Sequence, residues 1–144
     1  MVNYQALFQP DPQAGGFVIT FPDFGWGVSQ AESEVEALAM AEDLLLTLIG
    51  EHVKKGEGVP AARKRRSVRY RSIALPALAS AKVELYQAFV ASGMRKPELA
   101  RRIGIPKPNL DRLFDLWHHS RLDQLEAAFL ALHKRIWFEI RDAA

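Results

Sequence analysis

The sequence predicts an α+β chain in two parts, a small sheet carrying one helix followed by a mostly helical unit. Three observations lead there. Apolar residues alternate with polar ones near the start but recur at helical spacing after Pro76–Leu78. Hydrophobic residues make up 49% and charged residues 25% of the 144, the composition of a folded chain rather than a disordered one. The charge also changes sign along the chain. From Met1 to Ala62 two lysines face nine acids, a net −7, whereas from Arg63 to Ala144 seventeen Lys and Arg face eight acids, a net +9. These features divide the chain into residues 1–78 and 79–144, and opposite charge in the two parts points to two different partners.

Each element has its own signature. Tyr4, Ala6 and Phe8 alternate with Gln5, Leu7 and Gln9, the period of a strand. Pro10 to Gly16 is a turn by composition, and Phe17, Ile19 and Phe21 begin a second strand that pairs back on the first. Val28 opens a short third strand. Ser33-Glu34-Val35-Glu36 is a capping box, so a helix should run from about Glu34 to Lys55. Its expected apolar stripe is Val35, Leu38, Ala39, Leu45, Leu46, Ile49 and Val53, with Lys54 and Lys55 at the cation-favouring end and Gly56 as the stop. Gly56 to Arg66 is a polar connection. Ser67 to Leu75 reads as a further strand that completes the sheet, and Pro76 ends it. Helices are then expected from Ala79 to near Gly93, at Pro97–Ile103, at Pro108–Leu116 and at Leu122–Leu132. Lys134 to Arg141 fits either a strand or a helix end.

Several classes are excluded. The chain has no cysteine, so neither disulfides nor thiolate chemistry are available. Its opening MVNYQALFQPDP has neither a basic start nor an apolar run, so no secretory signal is expected. The longest apolar stretch, Leu44 to Gly50, is far short of the ~20 residues of a membrane helix. A cytoplasmic protein is the expectation. Asp11, Asp23, Glu32 and Glu36 have no spacing that fixes a metal site. His118 and His119 are adjacent and cannot face one ion from a regular helix, and His52 and His133 are isolated. No catalytic residue, metal or cofactor is assigned.

The most specific local pattern is Lys96 to Leu113, KPELARRIGIPKPNLDRL. Two helices that cross steeply need a small residue at their contact, which Ala100 supplies. The tight turn needs a left-handed residue four positions later, and Gly104 adopts that conformation without a Cβ clash. Leu99, Ile103, Ile105, Leu110 and Leu113 can bury both helices on one side, and Pro97 and Pro108 each sit where a helix can begin. The pattern is that of a helix-turn-helix. Its second helix would present Lys107, Asn109, Asp111 and Arg112 to the major groove of operator DNA, Asn and Arg having the geometry for bidentate contact with base edges. Lys96, Arg101 and Arg102 would meet phosphates. Pro106-Lys107-Pro108 stands where a Ser or Thr cap is usual.

Both parts resemble a known family, the HicB-type antitoxins of the helix-turn-helix class. The N-terminal carriers are Tyr4-Gln5-Ala6-Leu7-Phe8, Gly15 to Asp23 (GGFVITFPD) and Glu34 to Ala41 (EVEALAMA). The C-terminal carriers are Leu75 to Tyr86, Glu98 to Gly104, Asp111-Arg112-Leu113 and Ser120 to Ala128. In place of the family's Pro-Gly after the aspartate stands Phe24-Gly25-Trp26-Gly27. The resemblance implies a partial RNase H-like N-terminal unit without nuclease activity. It also implies binding of a small basic mRNA-cleaving (HicA-like) toxin and repression of the operon encoding both. Tyr4, Asp11, Phe21, Asp23, Phe24 and Trp26 are the candidate toxin contacts. A homo-oligomer is expected, because one helix-turn-helix reads only a short half-site. Leu125, Phe129, Ile136, Trp137, Phe138 and Ile140 are the candidate dimerisation residues. The alternative reading is a ligand-responsive repressor without a toxin partner.

Overall fold

A computed structural model describes residues 1–143. The sheet has four strands: β1 (Asn3–Pro10), β2 (Phe17–Thr20), β3 (Ser29–Ala31) and β4 (Tyr70–Ala74). Their order is β3-β2-β1-β4, every pair antiparallel, with Phe8 opposite Ile19 and Tyr4 opposite Ile73. β4 is shorter than the predicted Ser67–Leu75, because Ser67 to Arg69 form a turn before pairing begins. Helix α1 (Glu34–Lys55) lies across one face. Between them are Tyr4, Ala6, Phe8, Ile19, Phe21, Phe24 and Ile73 from the sheet side and Ala37, Ala41, Leu45, Leu48 and Ile49 from the helix, all buried. The opposite face carries Gln5, Leu7, Val18, Thr20, Tyr70 and Ser72, none of which belongs to the core.

The ends of α1 follow the sequence closely. Ser33 Oγ accepts from the Glu36 amide at 3.2 Å, and Gly56 closes the helix in the left-handed region at φ 69°. Glu36 reaches one residue further back than a standard capping box, accepting from Glu32 N at 2.8 Å. The buried stripe is rotated from the expected one. Ala37 and Ala41 face the sheet, while Val35 and Leu38 are 81% and 43% exposed. Small side chains let the first turns lie close to the strands, and the bulkier pair is turned outward as a result.

The helical part consists of α2 (Ala77–Ser92), α3 (Lys96–Ile103), α4 (Lys107–Phe114) and α5 (Leu122–Ala131). Leu85, Tyr86, Leu99, Ala100, Leu110, Leu113, Phe114, Leu125, Ala128, Phe129 and Leu132 form a second core. Among the described residues, those after Ala131 form no further helix or strand. The two cores meet along α2. Ala79 and Val83 pack into the sheet core together with Leu116, whereas Leu85 and Tyr86 of the same helix serve the second core. Ser80 Oγ accepts from Val2 N at 3.2 Å and donates to Leu75 O at 3.1 Å, and Tyr86 Oη donates to Glu57 O at 2.7 Å. Trp117 lies on Gly50 of α1 so closely that a Cβ at residue 50 would be 2.5 Å from its ring. Among the described residues, no helix is long and apolar enough to cross a membrane.

Candidate nucleic-acid and partner interfaces

The α3–α4 pair folds as its spacing requires. Ala100 is buried where the two helices meet. Gly104 takes φ 82°, and its amide donates to Ala100 O at 2.8 Å and Arg101 O at 3.2 Å. Ile105 N also donates to Ala100 O, at 3.0 Å, closing the six-residue loop that ends many helices at glycine. Leu99, Leu110 and Leu113 are buried, with Ile103 and Ile105 packed at the edge of the same core. Pro97 and Pro108 both fall in a first helical turn, and α4 has no side-chain cap at its N-terminus.

The polar candidates are divided by their partners. Arg101, Lys107, Asn109 and Arg112 are exposed. Arg112 donates to Asn109 Oδ1 at 3.2 Å, so the two form a linked pair on the surface of α4. Arg102 pairs with Glu98 at 3.0 Å within α3. Lys96 and Asp111 are a salt bridge at 3.0 Å joining α3 to α4, and the Lys96 ammonium lies 5.9 Å from the centre of the Phe114 ring. That bridge engages one carboxylate oxygen of Asp111, Oδ1.

One residue of this region escaped the sequence reading altogether. Lys82 of α2 is fully buried, and its ammonium donates to Arg112 O at 2.8 Å and Asp115 O at 2.7 Å at the C-terminal end of α4. Burial lowers it to about pKa 8, the Asp115 carboxylate opposing part of that shift. A lysine in an amphipathic stretch reads as exposed, and nothing local marks this one as an exception.

The N-terminal candidates separate just as sharply. Tyr4, Phe21 and Phe24 are core side chains, at 3%, 1% and 9% exposure, and offer a partner almost no surface. The Tyr4 hydroxyl donates to Pro60 O, and burial, then Asp23 and Glu84, push its pKa up to about 12. Asp23 is engaged internally, its carboxylate accepting from Arg65 at 2.9 Å and from Arg63 N at 3.1 Å with its side chain only 2% exposed. Asp11 holds its own turn by accepting from the amides of Gln13 and Ala14. Trp26, 46% exposed, is the candidate that presents a large apolar surface. Arg71, a second member of the Arg63–Arg71 cluster, pairs with Glu34 at 2.9 Å. Two of the six cations in that cluster therefore tie the connection back to the sheet unit. Among the described residues, no group of three His or acidic side chains is placed to hold a metal ion.

The dimerisation candidates divide in the same way. Leu125 and Phe129 are buried within the chain's own second core, because α5 packs its apolar side against α2 and α3. Ile136 is half-buried against that core, while Trp137, Phe138 and Ile140 are 88%, 63% and 91% exposed.

A family profile described as "HicB_like antitoxin of bacterial toxin-antitoxin system" matches residues 3–84, which span the sheet, α1 and the start of α2. The chain belongs to this HicB-like antitoxin family. Antitoxin HicB of Escherichia coli K12 is 34% identical over 135 residues, covering 94% of this chain and 96% of the relative. Antitoxin HicB of Pseudomonas fluorescens Pf0-1 is 36% identical over 108 residues, covering 75% and 74%. Antitoxin HicB 1 of Photorhabdus laumondii is 28% identical over 139 residues, covering 96% and 87%. These HicB relatives match across both parts of the chain, so the helical part is shared with them as well as the sheet.

Proposed function

We propose that this antitoxin neutralises a small basic mRNA-cleaving toxin of the HicA type and represses the operon encoding both. Residues 1–78 would hold the toxin and residues 79–144 the operator. The observation that carries the reading is the α3–Gly104–α4 pair, with Arg101, Lys107, Asn109 and Arg112 exposed, in a chain of this family. Exposed Asn and Arg on the second helix have the chemistry to read base edges, while Arg101 and Lys107 suit phosphates. The acidic excess of the first 62 residues suits a basic protein. Trp26 and the helix-free face of the sheet, with Leu7, Val18 and Tyr70, are our candidates for the toxin surface. Tyr4, Phe21 and Phe24 would act by holding the sheet in shape beneath it.

We read the sheet unit as partial RNase H-like. Its strand order and single covering helix support this, and its acidic side chains serve other ends. Asp11 holds a turn, Asp23 an arginine and Glu36 a helix start. We read the assembly as an even homo-oligomer. Trp137, Phe138 and Ile140 form more exposed apolar surface than a solitary chain end accounts for.

Co-expression with the neighbouring gene tests the main reading. The antitoxin should co-purify with a small basic protein and suppress its RNA cleavage. It should also shift duplex DNA from upstream of its own coding region, more weakly as salt rises. Absence of both would sink the reading. Sedimentation of a Trp137→Glu, Phe138→Glu variant tests the oligomer, and an unchanged mass would remove that segment from the interface.

A further inference from the structure

α4 differs from the three helices before it in how it ends. α1, α2 and α3 each terminate on a left-handed glycine, Gly56, Gly93 and Gly104. α4 ends instead at Asp115 in an extended conformation, and its first turn begins at Pro106 with no side-chain cap. Eight residues are too few to be stable as an isolated helix, so its position depends on what grips it from outside. Leu110, Leu113 and Phe114 fix the buried side. Those apolar contacts set which side of the helix is buried, and directional hydrogen bonds add a constraint on its backbone.

Two polar fixtures remain, the part-exposed Lys96–Asp111 bridge to α3 and the buried Lys82. Its buried ammonium donates to Arg112 O and Asp115 O, carbonyls at the C-terminal end of α4. Ser120 Oγ adds a weak third contact to Arg112 O at 3.5 Å. A cation is the favoured partner for this end of the helix dipole, and charge-assisted hydrogen bonds are both stronger and more directional than apolar contact. The carbonyl of Arg112 belongs to the residue whose guanidinium is linked to Asn109 on the outer face. Lys82 thus grips the backbone beneath the candidate base-reading pair. Its helix reaches both cores, with Val83 in the sheet core and Leu85 in the other.

We propose that Lys82 is a positioning residue for DNA recognition, a C-terminal cap delivered from α2 that holds α4 at the height where Asn109 and Arg112 meet base edges. This inference rests on the helix-turn-helix reading above. Removing the ammonium would leave the Arg112 and Asp115 carbonyls without this donor, a cost in stability that a DNA-specificity readout separates from a positioning role. Removing the ammonium should loosen α4 while leaving Arg101 and Lys107 free to meet phosphates.

The absence of cysteine makes a chemical rescue possible. Lys82→Cys, alkylated in denaturant with 2-bromoethylamine and refolded, restores an ammonium at nearly the original reach. Lys82→Met fills the volume without the charge. Affinity is measured at one salt concentration for a duplex from upstream of the coding region and for a random duplex of equal length. The intact protein should prefer the upstream duplex. Lys82→Met should lose roughly tenfold or more of that preference with affinity for random DNA nearly unchanged, and the alkylated Lys82→Cys protein should recover it. If Lys82→Met does not fold, Lys82→Gln takes its place, with a loss of roughly threefold expected because its amide can still donate. A folded Lys82→Met or Lys82→Gln protein that keeps the full preference would overturn the inference. So would an alkylated Lys82→Cys protein that refolds but recovers nothing. An intact protein with no preference at all would instead overturn the helix-turn-helix reading, and this inference with it.

Discussion

Two basic stretches of this chain look alike in sequence and differ in the fold. Arg63 to Arg71 carries six Lys and Arg in nine residues, the densest positive charge in the protein. Lys96 to Arg112 is more dilute and interrupted by acids. In the fold, two of those six cations are turned inward, while Arg63, Lys64, Arg66 and Arg69 stay exposed. Arg65 neutralises Asp23 and packs 5.9 Å from the Tyr70 ring centre, and Arg71 pairs with Glu34. The dilute stretch presents Arg101, Lys107 and Arg112 on a regular helical frame. Acids claim two cations in each stretch, so pairing alone does not separate them. What differs is the frame: the exposed cations of the dilute stretch project from a pair of helices, and those of the dense stretch from an irregular segment and a turn.

The largest expected effect lies in the inward stretch. Asp23→Ala should destabilise the protein by roughly 2–3 kcal/mol in urea unfolding, somewhat below the loss from breaking a fully buried pair because Arg65 is 29% exposed. Arg65→Met in the same chain should recover part of it. A loss under about 0.5 kcal/mol, the scale of ordinary surface changes, would mean that the contrast between the stretches has been overdrawn. In the outward stretch, Arg112→Ala and Asn109→Ala should each weaken binding to the upstream duplex by roughly 1–3 kcal/mol while sparing stability. Because the two side chains are hydrogen-bonded, the double variant should lose less than the sum. Strict additivity would separate their roles.

A smaller difference tests the phosphate contacts. Arg101→Ala should weaken binding to all duplexes alike and reduce the salt slope by about 1. Arg71→Ala, made in the inward stretch, should leave that slope unchanged. Equal slopes for the two variants would erase the distinction drawn between the regions.

The last effect is a pH dependence set by groups that both halves bury, and its two parts oppose each other. Lys82, at about 8 in the fold against 10.5 ordinarily, loses its proton earlier when folded than when unfolded. Stability should therefore rise with pH between about 8 and 10.5, and Lys82→Met should abolish the rise. Tyr4 has the opposite sign. It is held at about 12 in the fold against 10.0 ordinarily, so the folded chain keeps a proton that the unfolded chain has lost. Stability should fall from about pH 10 to 12, less steeply in Tyr4→Phe. Tyr86, raised by burial and by Glu57, adds to the fall. A flat alkaline profile would show that water reaches these groups.

Sequence alone determined the elements whose signals are local. The cap at Ser33, the stops at Gly56, Gly93 and Gly104, the alternation in β1 and the Ala100–Gly104 spacing all survive in the fold because each depends on backbone geometry within a few residues. The order of three strands, a helix and a further strand was legible for the same reason. Only the tertiary structure decided which side chains remained for partners. Tyr4, Phe21 and Phe24 look like an aromatic surface in one dimension, yet they become core once α1 closes over the sheet. Leu125 and Phe129 are claimed by packing against α2 and α3 before a second copy can reach them. Asp23 meets Arg65 across 42 residues, and Lys82 meets Arg112 and Asp115 across 30 and 33. Such pairings carry no local signature. Burial and charge neutralisation depend on what the rest of the chain brings alongside, and that is decided when the two cores pack together through α2.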